Sequence, residues 1–173
     1  MNAEHIRTGA QLEARFPYMF NGENIGFAYY RGWMPVVVQV CTEIDSILGD
    51  QGEHFHWTQI KEKFGTLRLY YAFGDQSPVT MDLQSPAGLQ SIRVQTAKPS
   101  PLGLVLDDLV VQAQDATASI CMVCGVPAKT QTYDHYRLTV CTDHHPDRVR
   151  KMDEYRHDGV WRLARCRDDE DDD

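Results

Sequence analysis

Thr66-Leu-Arg-Leu-Tyr-Tyr-Ala-Phe73 is the stretch on which the fold turns. Leu67, Leu69, Tyr71 and Phe73 alternate with Thr66, Arg68, Tyr70 and Ala72, the period of two expected of a strand with one buried face. His54 to Phe64 supplies the partner strand. Gly65 permits the positive φ of a tight turn between them, and a four- or five-residue loop around Lys61 to Lys63 is the alternative. Before this hairpin, Val37, Val40, Cys41, Ile44, Ile47 and Leu48 recur at three- and four-residue spacing, so a helix is predicted from Pro35 until Gly49 stops it. Further upstream, residues 8–17 predict a short helix ended by Pro17. The turn-rich Asn21 to Gly26 then leads into Phe27, Tyr29, Tyr30 and Trp33, read as an aromatic loop pinned onto the core.

Downstream, Met81, Leu83, Leu89, Ile92 and Val94 flank Ser85-Pro-Ala-Gly88 and predict a second hairpin over residues 79–96. After Pro99-Ser-Pro101, the residues Leu106, Leu109, Val110, Ala113, Thr117 and Ile120 form one helical stripe. Asp107, Asp108, Gln112 and Asp115 fall outside it. The predicted class is α+β: a small antiparallel sheet packed with two or three helices, plus a zinc module argued below. The predicted division is a core over residues 1–120 with a hairpin insert at 77–101, a module with a following helix over 121–165, and a disordered acidic tail over 166–173.

The 173 residues and 19.8 kDa suffice for one ordinary domain with a small satellite and exclude a large multidomain enzyme. With 42% apolar residues, 24% charged ones and no long apolar run, the composition is that of a soluble globular protein without a spanning helix. The first residues lack the basic-then-apolar layout of a secretory signal, and three of the five cysteines fall in two close pairs of the metal-binding kind, Cys121 with Cys124 and Cys141 with His144, so the chain is expected in the reducing cytoplasm. The net charge is −8, but six acids lie in the run Asp168 to Asp173, and without that run the balance is −2. Just before it, Arg148, Arg150, Lys151, Arg156, Arg162, Arg165 and Arg167 outnumber Asp153, Glu154 and Asp158. This segment is read as a solvated basic helix partly neutralised by the tail.

The strongest chemical signal is Cys121-Met-Val-Cys124-Gly125, followed sixteen residues later by Cys141-Thr-Asp-His144. Two residues between ligands let a tight turn bring both side chains to one ion, and Gly125 lets the backbone fold around the thiolate. Three thiolates and an imidazole fill a tetrahedral shell and leave no open position, so Cys121, Cys124, Cys141 and His144 predict a structural Zn2+. His145 is the alternative fourth ligand, and buried reduced thiols are the alternative to a metal. A strand within Tyr136 to Val140, with a helix beginning near Pro146, gives the layout of a treble-clef zinc finger. Cys41 is assigned to the core, and Cys166 has no ligand-spaced neighbour.

No catalytic constellation stands out. His54 and His56 share strand spacing and could make two legs of a hydrolase metal site, but no third ligand is evident. Asp143-His144-His145 has the acid-histidine pattern of finger-based nucleases without their companion residues. There is no phosphate loop, nucleophile elbow or His-Glu-x-x-His helix. Lys61, Lys63 and Arg68, with Tyr70 beside them, read as an exposed hairpin face suited to phosphates or to acidic groups on a protein.

Gly32-Trp-Met-Pro35, Lys61-Glu-Lys-Phe-Gly-Thr-Leu-Arg-Leu-Tyr-Tyr71 and the Cys121-to-His144 pattern together resemble a widespread group of small uncharacterised bacterial and phage proteins. The resemblance covers about residues 12–145 and implies the order loop, helix, hairpin, helix and finger, in a phage or mobile-element setting. The expected function is a non-enzymatic, zinc-stabilised binding protein that engages a host protein and no membrane. The alternative is a nucleic-acid-binding regulator with Arg148, Arg150, Lys151 and Arg156 as phosphate contacts on the helix after the finger, opposed by the acidic tail unless that tail is autoinhibitory.

Overall fold

The computed structural model describes residues 6–22, 25–85, 88–133, 136–144, 154–157 and 160–163. Helix α1 (Gly9–Arg15) is opened by a capping box in which Thr8 accepts from the Gln11 N–H and the Gln11 side chain accepts from the Thr8 N–H. Strand β1 (Gly26–Tyr30) leads through a 3-10 turn at Arg31–Trp33 into helix α2 (Met34–Leu48). The hairpin follows as β2 (Phe55–Lys63) and β3 (Thr66–Phe73), then a second as β4 (Val79–Ser85) and β5 (Gly88–Val94). Helix α3 (Pro101–Ala116) is capped by the Ser100 hydroxyl and precedes hairpin β6 (Lys129–Tyr133) and β7 (Tyr136–Val140). Strands β8 (Glu154–His157) and β9 (Val160–Leu163) come last.

The turn between β2 and β3 has two residues. Phe64 and Gly65 both take positive φ, 56° and 75°, the signature of a type I′ hairpin turn, and the Gly65 N–H donates to Glu62 Oε1. The register is regular except for a bulge between Trp57 and Gln59. That bulge changes the inward parity of β2, so that Phe55, Trp57 and Ile60 are all fully buried. Across the pair, Phe55 stacks on Tyr71 at 5.4 Å and meets Trp57 edge-on at 5.1 Å.

The main sheet runs β3-β2-β1-β9-β8, and it is mixed. Strand β1 is central and pairs in parallel with both β2 and β9, so Phe27, Tyr29 and Tyr30 belong to a strand rather than to the expected aromatic loop. Its five residues, bounded by a turn and a 3-10 segment, are too few for alternation to reveal it. The expected helix after the finger is also corrected where it can be seen: Arg156 lies on β8, in a hairpin that joins the core sheet through Val160 opposite Tyr29. Tyr155, Val160 and Trp161 are residues that favour strands, and charge alone had suggested a helix. The C-terminal segment is therefore tied into the core sheet. Arg148, Arg150, Lys151, His145, Cys166 and the acidic tail lie outside the described residues.

Leu67, Leu69, Tyr71 and Phe73 are buried in the core, where β3 packs against α3, as their alternation predicts. The opposite face of β3 is covered too, since Arg68 and Ala72 are each only 8% exposed. The cover over Arg68 is hairpin β4–β5. Its inward side is polar: Asp82 pairs with Lys63 at 2.7 Å and with Arg68 at 3.2 Å, and Arg93 pairs with Asp107 at 2.8 Å. Asp107 therefore does not stand outside α3 as expected; it is buried, accepting also from the Tyr71 hydroxyl at 2.8 Å and from Gln95. Cys41 is fully buried in the core, and burial pushes its thiol up to about 12 against a smaller lowering from Trp57. No helix among the described residues is long and apolar enough to cross a membrane.

Candidate metal centre

Gly125, at φ 81°, closes the Cys121–Cys124 turn by donating its N–H to the Cys121 carbonyl at 2.9 Å. The Cys121 N–H in turn bonds the Val126 carbonyl at 2.7 Å. The second pair leaves the end of β7, where the His144 N–H reaches the Cys141 carbonyl at 3.1 Å. Hairpin β6–β7 thus spans the gap between the pairs and returns the chain to the first two thiols.

The four side chains meet. One ligand atom from each of Cys121, Cys124, Cys141 and His144 lies within 4.8 Å of every other, and among the described residues this is the grouping that could hold a metal. A tetrahedral ion with metal–sulfur bonds of about 2.3 Å and metal–nitrogen bonds of about 2.0–2.1 Å requires S–S edges of about 3.8 Å and S–N edges of about 3.6 Å. The Cys124–Cys141 sulfurs are 3.7 Å apart, and His144 Nδ1 stands 3.7 Å from Cys121 Sγ and 3.2 Å from Cys141 Sγ. The donor set and its spacing fit a tetrahedral metal with no protein-free corner.

Electrostatics point the same way. Burial raises the Cys121 thiol, but N–H groups of Cys124, Cys141 and Val123 outweigh it and hold that thiol below its ordinary value. Cys124 goes the other way: burial first, then the neighbouring Cys121 and Cys141 sulfurs, push it up to about 12 against a lowering from the Val126 N–H. Thiolates this close repel, and a cation among them would remove that penalty.

The candidate centre is fastened to the core at two glycines: Gly32, which had no assigned role, and Gly65, read only as a turn former. The Gly32 N–H donates to the Met122 carbonyl at 2.9 Å, and the Trp33 indole N–H donates to the Ile120 carbonyl at 2.9 Å. The approach is so close that a Cβ on Gly32 would lie 2.5 Å from the Cys121 carbonyl oxygen. At the second fastening, the Thr139 hydroxyl donates to the Gly65 carbonyl at 2.5 Å, and a Cβ on Gly65 would lie 3.0 Å from the Arg137 carbonyl oxygen. The Gly-Trp loop and the Phe-Gly turn are thus the two surfaces on which the cysteine-bearing segment sits.

The residues read as a binding face are placed differently from one another. Lys61 lies over the Tyr70 ring at 5.2 Å, Lys63 is ion-paired to Asp82, and Arg68 is buried rather than exposed because β4–β5 folds over it. His54 ends a 3-10 segment, exposed and 3.8 Å from Glu53, while His56 lies against Gly22; neither joins a metal cluster among the described residues. Arg93, Arg137 and Asp107 were missed by sequence reasoning. Only the pairing register of β4–β5 could have shown that Asp82 and Arg93 share an inward face.

Compared with protein-family models, curated proteins and solved structures, the chain matches none.

Proposed function

We propose that this protein is a non-enzymatic binding module, stabilised by a structural zinc ion, that takes an apolar strand of a partner protein onto hairpin β4–β5. The observation that carries the reading is the orientation of that hairpin. Val79, Met81, Leu83, Ile92 and Val94 share its outer face and are 41–50% exposed, while its charged side chains, Asp82 and Arg93, turn inward into ion pairs. Exposed strand pairs are ordinarily guarded by outward charges or proline. Here β4 and β5 pair only with each other among the described residues, and the described side chains of the outer face carry no charge. An uncharged, extended apolar segment is the occupant such a surface takes, with backbone bonds to a free edge and side chains on the apolar stripe.

Zinc is supported by the thiolate-rich donor set and the tetrahedral spacing, and three sulfurs with one nitrogen leave no position for a reacting water. The phage or mobile-element setting implied by the sequence resemblance makes a host protein the natural partner.

The test is capture from host lysate by the full chain and by a Met81→Glu/Ile92→Lys variant, with and without nuclease, alongside sedimentation of each protein alone. The expected result is one dominant protein held by the wild type, resistant to nuclease and lost in the variant, with equal melting temperatures. Retention by the variant, dependence on nucleic acid, or a wild-type dimer that the variant dissolves would each overturn the reading.

A further inference from the structure

Hairpin β4–β5 is joined to the rest of the protein by charge. Among the described residues none of its apolar side chains belongs to the hydrophobic core, and Val79, Met81, Leu83, Ile92 and Val94 are all exposed. Asp82 reaches from the hairpin to Lys63 at 2.7 Å and to Arg68 at 3.2 Å, and Ser91 accepts from Arg68 at 3.2 Å. In the opposite sense, Asp107 of α3 accepts from Arg93 Nε at 2.9 Å and from Gln95, while the Arg93 guanidinium lies over the Tyr71 ring at 5.5 Å.

These fastenings close the hairpin at a cost. It stands off from the body across a cavity of about 330 Å3, lined by Thr66 and Arg68 of β3, Thr80 and Arg93 of the hairpin, and Val111 and Gln114 of α3. Arg68 Nε, Arg93 Nη1 and Gln95 Oε1 are buried with no hydrogen-bond partner. An ion pair taken out of water returns little net stability, because desolvation offsets the attraction, and each buried bond left unmade subtracts further. Apolar burial, which would supply the balance, is missing from this contact. The legs of the hairpin suit a hinge. Gln76 is buried against Gly103 of α3 and fixes the entering chain, whereas Ser77-Pro78 and Thr96-Ala97 lie outside any helix or strand. The Ser77 N–H donates to Thr96 Oγ1 at 2.9 Å and ties the two legs together.

We propose that β4–β5 is a latched arm, which swings as one unit about residues 77–78 and 96–97 while the core stays folded, with Asp82 and Asp107 as its two latches. Local opening of this kind belongs to elements with few buried apolar contacts. It has a consequence at the main sheet. Lys61, Lys63 and Arg68 stand in register on the outer face of β2–β3, and Asp82 is paired to two of them while the arm is closed. Opening therefore uncovers a cationic sheet face that the closed arm masks. The inference goes beyond the docking of a partner strand and holds whatever the outer face of the hairpin takes.

The experiment is hydrogen exchange, read by nuclear magnetic resonance, on the full-length, metal-loaded protein with no partner present. A released two-stranded hairpin is not stable by itself in water, so its cross-strand amides exchange when the arm opens. The amides of β4 and β5 are expected to exchange at least tenfold faster than the slowest amides of β2 and β3. Ile44→Val, a change in the core on α2, is expected to speed those slow amides about fivefold and the arm amides less than twofold, since the arm opens without the core. Asp82→Asn is expected to speed the arm amides at least tenfold further, because it leaves Lys63 and Arg68 without their countercharge. Arm amides as slow as those of β2 and β3, equal acceleration of both sets by Ile44→Val, or arm exchange unaltered in Asp82→Asn would each overturn the proposal.

Discussion

Replacing Gly32 by alanine adds one methyl group where the core meets the metal centre. The new Cβ would stand 2.5 Å from the Cys121 carbonyl oxygen, 2.6 Å from that of Met122 and 2.7 Å from the Met122 carbonyl carbon, all backbone atoms that cannot rotate away. Restoring an ordinary contact of 3.4 Å requires a separation of 0.9 Å, applied across the 2.9 Å hydrogen bond from the Gly32 N–H to Met122. That bond would be broken. Overpacking of this kind costs about 1–3 kcal/mol, and a buried hydrogen bond left unmade costs about 1–2 kcal/mol more, so a loss of about 2–5 kcal/mol is expected. With a urea m-value of about 2 kcal/mol/M, the unfolding midpoint of metal-loaded protein falls by about 1–2.5 M. Because the displaced atoms belong to the Cys121–Cys124 turn, competition with a chromophoric chelator should show metal affinity falling at least tenfold. A Gly32→Ala protein within about 0.5 kcal/mol of wild type and of unchanged metal affinity would refute the claim that this loop seats the centre.

Purified without chelators, the protein should carry one equivalent of zinc by elemental analysis, and Cys124→Ser should lose it and melt at lower temperature, since the binding energy of a structural metal is folding energy. Gly65→Ala forces a side chain into φ 75° and toward the Arg137 carbonyl, and should cost about 1–3 kcal/mol by chemical denaturation. For Asp82, burial raises the carboxyl, but Lys63, Ser91 and Arg68 outweigh it and hold it below its ordinary value. The stability it contributes is therefore complete above the unfolded value of about 4 and is lost as pH falls through the lower folded value. Asp82→Asn should remove that part of the acid slope, read as the difference between the two proteins at each pH so that metal loss cancels.

The parts of the fold legible in the sequence are those whose signal is local and repeated. The three- and four-residue spacing of Val37, Val40, Cys41, Ile44 and Leu48 marks α2, and alternation from Leu67 to Phe73 marks β3. The meeting of Cys121, Cys124, Cys141 and His144 was legible because a two-residue spacing within each pair is set by turn geometry, independent of the rest of the chain. Strand β1 was not, because it has only five residues and its consecutive Tyr29 and Tyr30 are both buried, so no alternation marks it. Hairpin β4–β5 was legible as a hairpin but not as an inverted one. Alternation divides a strand into two faces without saying which turns inward, and here the choice is made by Lys63, Arg68 and Asp107, all remote in sequence from the strands they hold.

The parallel placement of β1 sets a timetable for the growing chain. Its neighbour on one side, β2, is made shortly after it, but the other neighbour is β9, some 130 residues later at Val160–Leu163. At about 5–20 residues per second, Tyr29 and Tyr30 wait on the order of ten seconds with an unpaired backbone edge. Helices α2 and α3, the apolar hairpin and the side chains of Cys121, Cys124, Cys141 and His144 emerge from the ribosome within that interval. The four side chains can thus come together in a nascent chain whose central strand is still open on one side, and chains interrupted before residue 160 present that edge to any strand that reaches it.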